Sequence, residues 1–286
     1  MPIDVDKVLG AHLPERRTTW SETDVILYHL GLGAGATPTD PGELAYTYEG
    51  ALKVLPSYGV IPAVPMLPDM LNLPGMDVDL TRLLHGEQEL QLHGVLPVAA
   101  EVCTSATISD VSDKGSGALV VLEAVTRDAH SAQPLCTNRF SAFVRGEGGF
   151  GRPASRPSPI VPEKPTRAAD VEIACTTLPQ QALLYRLSGD MNPIHADPDF
   201  ARRGGFHQPI LHGLCSYGIV CKAVVDGVLG GDVSRVLSYR ARFAGVVYPG
   251  ETVVARMWEV DGAVLVDAVC KDRDTAVLSN GVVEVR

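Results

Sequence analysis

The stretch Pro209-Ile210-Leu211-His212-Gly213-Leu214-Cys215-Ser216-Tyr217-Gly218-Ile219-Val220-Cys221-Lys222-Ala223-Val224-Val225-Asp226-Gly227-Val228 decides the architecture. It reads as one helix that starts near Pro209 and is apolar on nearly every face, so it belongs inside the protein. Upstream, Val171–Thr176 reads as a short strand. Thr177-Leu178-Pro179-Gln180 then suits a helix start, with Thr as cap, Pro in the first turn and Gln three residues on. That helix carries Ala182, Leu183, Tyr185 and Leu187 and ends at Gly189. After Gly230-Gly231 come four runs rich in Val, Tyr and Phe, at 236–243, 252–260, 263–272 and 276–285, each with the character of a strand. Together these elements describe a curved antiparallel sheet wrapped around one enclosed helix.

The first half repeats this plan in diverged form. Leu27-Tyr28-His29-Leu30 resembles Leu184-Tyr185-Arg186-Leu187. Leu55-Pro56-Ser57-Tyr58-Gly59-Val60 resembles Leu214-Cys215-Ser216-Tyr217-Gly218-Ile219, and Leu96-Pro97 resembles Tyr248-Pro249. The matches keep their order at a nearly constant offset, which points to duplication. Strand-like runs at 85–92, 101–111, 118–127 and 135–144 complete the first copy. Between the copies, residues 146–166 are too rich in Gly and Pro for a helix or a central strand. The expected fold is therefore α+β, a double hot-dog: one domain over 1–145, a linker over 146–166 and a second domain over 167–286.

Composition narrows the function. The 286 residues are 45% hydrophobic and 20% charged, the balance of a folded chain long enough for two domains. No apolar run reaches the roughly 18–20 residues of a membrane span, and the N-terminus lacks a basic segment followed by an apolar core. Cys103, Cys136, Cys175, Cys215, Cys221 and Cys270 are scattered and form no C-x-x-C pair, so they read as reduced thiols of a cytoplasmic protein. A net charge of −10 without a long basic run argues against a nucleic-acid partner. Lys114, Arg145, Arg202, Arg203 and Lys222 offer local positive charge to an anionic ligand, or are simply solvated.

The chemistry concentrates in Leu187-Ser188-Gly189-Asp190-Met191-Asn192-Pro193-Ile194-His195-Ala196-Asp197. Asp190, Asn192 and His195 share one loop stiffened by Pro193, and a carboxylate beside an imidazole can shuttle a proton near neutral pH. Spacing alone favours a helix-ending Asp190 beside a structural His195. Gly213, at the start of the enclosed helix, has a backbone N–H without an intrahelical acceptor and no side chain to block a ligand oxygen; packing is the other reading of this glycine. His207 and His212 lack typical zinc-ligand spacing with His195, so no metal is expected.

The 187–197 run, followed by Pro209-Ile210-Leu211-His212-Gly213-Leu214, resembles the MaoC-like dehydratase family. Over nearly its whole length the chain looks like the two-domain enoyl-CoA hydratase 2, or (R)-3-hydroxyacyl-CoA dehydratase, proteins. Leu84-His85-Gly86-Glu87-Gln88, Asp113-Lys114-Gly115-Ser116-Gly117, Arg240-Ala241-Arg242-Phe243-Ala244-Gly245 and Tyr248-Pro249-Gly250-Glu251-Thr252 carry the likeness further. The resemblance implies a hydro-lyase acting on an acyl-CoA thioester. Asp190 and His195 would be catalytic, Asn192 would position the substrate and the Gly213 N–H would polarise the thioester carbonyl. Lys114 and His85 are expected substrate contacts. No cofactor is implied beyond the coenzyme A of the substrate, and a homodimer is expected. The alternatives are a thioesterase, a hydratase for a sterol side chain, and a catalytically silent acyl-CoA binder, which the intact Asp190, Asn192 and His195 disfavour.

The first half lacks this machinery, since Gly33 aligns with Asp190. Its counterpart of the enclosed helix carries Pro62, Pro65, Pro68 and Pro74, each costing about 3 kcal/mol in a helix interior. An uninterrupted helix is excluded there. The apolar residues between the prolines, Met66 and Met70 among them, are expected to line a pocket for the acyl tail.

Overall fold

The computed structural model describes residues 3–78, 82–155 and 162–286. The first half supplies β1 (Arg16–Trp20), β2 (Leu83–Leu92), β3 (Ala100–Asp113), β4 (Gly117–Asp128) and β5 (Pro134–Arg145). The second supplies β6 (Val171–Thr176), β7 (Val236–Phe243), β8 (Thr252–Val260), β9 (Ala263–Cys270) and β10 (Thr275–Val285). All ten join one antiparallel sheet in the order β1-β3-β4-β5-β2-β7-β10-β9-β8-β6. From either outer edge inward, each half runs first strand, third, fourth, fifth, second. That shared order is the duplication written in hydrogen bonds. The fold is a double hot-dog, and the halves meet where β2 pairs with β7, from Glu87 opposite Arg242 to Gln91 opposite Ser238.

The α-helices are α1 (Val5–Val8), α2 (Glu22–Gly31), α3 (Pro41–Thr47), α4 (Met66–Leu71), α5 (Gln181–Tyr185), α6 (Pro198–Arg203) and α7 (Gly213–Gly227). In α7 the run from Leu214 to Cys221 is wholly buried, as its apolar sequence requires. The helix starts four residues later than the sequence suggests. Leu211 N–H is drawn to the Val247 carbonyl at 2.7 Å, and His212, at ψ 136°, is extended. Thr177 likewise does not cap α5. Its hydroxyl donates to the Glu251 carbonyl, and the Gln181 side chain takes the Leu178 N–H instead.

The two halves differ most at their centres. Where the second half has α7, the first has a 3-10 helix, Pro56–Ala63, followed by the short α4. The prolines break the α-helical ladder, and the Gly59 carbonyl is taken at 2.8 Å by Asn138 Nδ2, which is itself braced by Gln88. Met66 and Met70 are fully buried in the hydrophobic core. The expectation that they line a pocket is therefore corrected: they pack the first-half core. Strand β1 and helix α2 escaped the sequence reading; β1 runs Arg16-Arg17-Thr18-Thr19 at the sheet edge and buries only its last residue, Trp20, so it has no period of two to read. Between Arg145 and Val171 the described residues hold neither helix nor strand, and residues 156–161 of the expected linker lie outside the described residues.

Candidate active site

The loop after α5 is built by a chain of side-chain caps. A 3-10 turn, Arg186–Ser188, ends at Gly189, whose φ of 121° turns the backbone sharply where a side chain would be strained. The Asp190 carboxylate then accepts the Asn192 N–H through Oδ1 at 3.1 Å. Asn192 Oδ1 accepts the Ile194 N–H, also at 3.1 Å, and so caps the 3-10 turn Pro193–His195 with Pro193 in its first position. Asp197 next caps α6. These local bonds present Asp190 Oδ2 to His195 Nε2 at 3.9 Å.

His195 is buried, and its other ring nitrogen, Nδ1, lies 2.9 Å from the Ile210 carbonyl. A carbonyl only accepts, so Nδ1 carries the hydrogen and Nε2 faces Asp190 with a free lone pair. The 3.9 Å gap is too long for a direct hydrogen bond. A water lying to one side can donate one hydrogen to each group. Burial holds the His195 pKa below the usual histidine range, against the pull of the Asp190 carboxylate and the Ile210 bond; Arg186 adds repulsion. The imidazole is thus neutral and ready to take a proton.

His212 completes the cluster. Its ring stacks on His195 with centroids 3.6 Å apart, and its Nε2 donates to the Asp190 carbonyl at 3.1 Å. Burial, with His195 next in order, pushes its pKa down to about 2, so it stays neutral. Asp190, His195 and His212 have ligand atoms within 4.8 Å of one another, which raises the question of a metal. Stacked rings send their nitrogen lone pairs out side by side rather than toward one point, and His212 Nε2 is already used as a donor. The arrangement suits proton transfer better than a tetrahedral ion.

Gly213 opens α7, where helix geometry leaves its N–H without an intrahelical acceptor. A Cβ at this position would stand 3.1 Å from the Phe243 ring, so its second reading, packing, also holds. Phe243 in turn meets His85 at 4.6 Å between centroids. The register shift between His85 and Glu87 turns His85 to the inner face, beside Phe140. Its Nε2 is buried without a partner, and burial lowers its pKa to about 4. Lys114 is elsewhere: it lies exposed in the β3–β4 turn, at the sheet end shared with Leu83 and His85 but separated from β7 by β4, β5 and β2. The structure thus groups Asp190, Asn192, His195 and the α7 start, adds His85 through Phe243, and leaves Lys114 apart. The Asn192 Oδ1 is engaged within the loop itself.

Two features escaped the sequence reading. One is the role of His212, which the sequence offered only as a metal ligand without the spacing for it. The other is a cavity of about 230 Å³ beside Ser188 and Gly189, walled by Trp20, Tyr58, Ile61 and Pro62 from the first half. It needed residues far apart in the chain.

Sequence comparison places these elements among known proteins. Enoyl-CoA hydratase ChsH3 of Mycobacterium tuberculosis is 44% identical over 285 residues, which span 99% of this chain and 98% of that protein. The chain belongs to the MaoC-like dehydratase family, among the enoyl-CoA hydratase 2 proteins. Within the family, the MFE-2 hydratase 2 N-terminal domain matches residues 19–146 and the MaoC like domain matches residues 161–280. Enoyl-CoA hydratase 2, peroxisomal, of Arabidopsis thaliana is 38% identical, covering 98% of this chain and 95% of that protein. The solved MaoC-like dehydratase from Phytophthora capsici superposes with a TM-score of 0.88 at 30% identity, over 99% of this chain and 98% of the other. The enoyl-CoA hydratase 2 match spans both halves, the MaoC like part holding Asp190, His195 and Gly213.

Proposed function

We propose that this chain is a hydro-lyase that adds water reversibly across the double bond of a trans-2-enoyl-CoA, giving a (3R)-3-hydroxyacyl-CoA. The observation that carries the chemistry is the 3.9 Å separation of Asp190 Oδ2 and His195 Nε2, with the His195 tautomer set by Ile210. A water bound to both would attack C3 of the enoyl thioester as Asp190 and His195 take up its proton. Negative charge would then grow on the thioester oxygen, where the Gly213 N–H at the positive end of α7 would stabilise it. The same pair would return a proton to C2. Hydroxyl adds to C3 and hydrogen to C2, so the step is redox-neutral and requires no electron carrier.

In this reading the cavity next to Gly189 takes the start of the acyl tail, and His85 and Lys114 contact the substrate farther out. A homodimer and a cytoplasmic location belong to the same proposal; the six cysteines are free thiols. No helix of the described residues is long and apolar enough to cross a membrane.

The test is loss of enoyl-thioester absorbance with crotonyl-CoA, run beside an assay for released coenzyme A. Wild type should consume the enoyl group without releasing thiol. Asp190→Asn and His195→Gln should each lower kcat by roughly 10²-fold or more while remaining folded. Thiol release at the rate of enoyl loss would convert the reading to a thioesterase, and a fully active Asp190→Asn would remove Asp190 from the mechanism.

A further inference from the structure

His212 lies between the two acid–base residues and the helix that would hold the thioester. Three contacts meet on this one imidazole. Nε2–H binds the Asp190 carbonyl at 3.1 Å, one face stacks on His195 at 3.6 Å and 25°, and Tyr185 covers it from 5.0 Å. Its own backbone then leads straight into Gly213 as the N-cap of α7. The Asp190 side of the pair has little other support: Gly189 before it is at positive φ, and Met191 and Asn192 after it are exposed. The Asx turn to Asn192 holds the Asp190 side chain through Oδ1, whereas His212 holds the Asp190 backbone through its carbonyl.

We propose that His212 is a positioning residue for the hydration step, its Nε2–H fixing Asp190 while its ring face sets the plane of His195. The proposal rests on the assignment of Asp190 and His195 as the reacting pair. A displacement of about 1 Å at a reacting group can cost roughly 10²-fold in rate, and the tie acts on the residue that carries the carboxylate. It makes no demand on coenzyme A binding, so its loss should appear in kcat and not in KM.

The experiment compares His212→Gln, His212→Asn and His212→Phe in the full chain, with crotonyl-CoA as substrate. The glutamine amide nitrogen reaches about as far as imidazole Nε2; asparagine is one methylene short; phenylalanine keeps a ring and loses the donor. Asn and Phe should lower kcat roughly ten- to hundredfold with KM within about twofold, and Gln should recover most of the loss. Equal activity of the Gln and Asn variants would overturn the proposal, as would losses that follow KM or the folded fraction in thermal melts. Nitrogen-15 NMR of the wild-type imidazoles gives a readout free of mutation. It should show His212 neutral with hydrogen on Nε2 and His195 with hydrogen on Nδ1; the opposite tautomer at His212 overturns the tie. Asp190→Asn is measured alongside. If it stays active, the reacting pair itself is wrong. If it is inactive while His212→Asn is unimpaired, only the role of His212 fails.

Discussion

Mild acid should unfold this protein through histidines buried without charge. Burial pushes His29 and His85 down to about 4 and His212 to about 2, from the usual 6.5. His29 shows the structural cause: Nδ1 is held by the Tyr46 carbonyl at 2.8 Å, and Nε2 accepts the Leu55 N–H at 3.2 Å, so a proton on Nε2 would break a backbone bond. Each folded pKa lies below the unfolded one. The stabilisation is therefore complete above pH 6.5 and is lost as pH falls, because the unfolded chain takes up protons first. At pH 5 each of the three costs about 2 kcal/mol, and together about 6 kcal/mol. At pH 4 the total is about 9 kcal/mol, within the whole stability of a typical fold, about 5–15 kcal/mol. Glu87, which burial raises, opposes the trend. Urea unfolding at pH 7, 6 and 5 measures the effect, and should find between two and three protons taken up on unfolding near pH 5.5, as a rough count. Stability that stays level to within about 1 kcal/mol between pH 7 and 5 would refute the assignment of these imidazoles as neutral.

Other expectations concern the site. If the cavity beside Gly189 takes the acyl tail, each added methylene should raise kcat/KM about fourfold from C4 until the cavity is filled, from about 0.8 kcal/mol per group; a panel of trans-2-enoyl-CoAs giving a flat profile would end that reading. Ile61→Trp, in the cavity wall, should cut activity on longer chains while sparing crotonyl-CoA, whereas Met66→Trp in the core should destabilise by about 1–3 kcal/mol and affect all lengths alike. Gly213→Ala should reduce kcat about tenfold or more, because its methyl would meet the Phe243 ring at 3.1 Å and push the start of α7 aside; wild-type kcat in a folded Ala variant would detach Gly213 from the oxyanion role.

Strands other than β1 were legible to within a few residues because their apolar, β-branched runs are written locally. Residues 236–243 and 252–260 coincide with β7 and β8. The α7 start was misread because its cause is not local: Leu211 N–H is claimed by Val247, on the far side of β7. The Asp190–His195 loop was readable since Asx turns and a proline lie within eight residues of each other. His212 was not, because stacking on His195 bridges seventeen positions and leaves no periodic trace. The methionines were misassigned for a related reason. Apolar residues between prolines fit a cavity wall and a core equally well, and only the packed first half shows that Ile61 and Pro62 face the cavity.

The common strand order of the halves explains why one site can serve both. In the second half the intact α7 supplies a helix N-terminus, and the loop before it supplies the proposed acid–base pair. In the first half the position that aligns with Asp190 is Gly33, which brings no carboxylate. Its prolines replace a straight helix by a 3-10 segment and a short α-helix, and the segment's outer residues, Ile61, Pro62 and Pro65, form a wall beside Gly189. Helix α2 packs its Gly31 against the Tyr185 backbone, where a Cβ would come within 3.2 Å, and Gln181 reaches across to the Gly31 carbonyl at 2.6 Å. The joint is tight next to the residue that covers His212. A larger residue at 31 would therefore disturb the proposed Asp190–His195 pair from the other half of the chain, which is the physical sense in which the two copies would act as one unit.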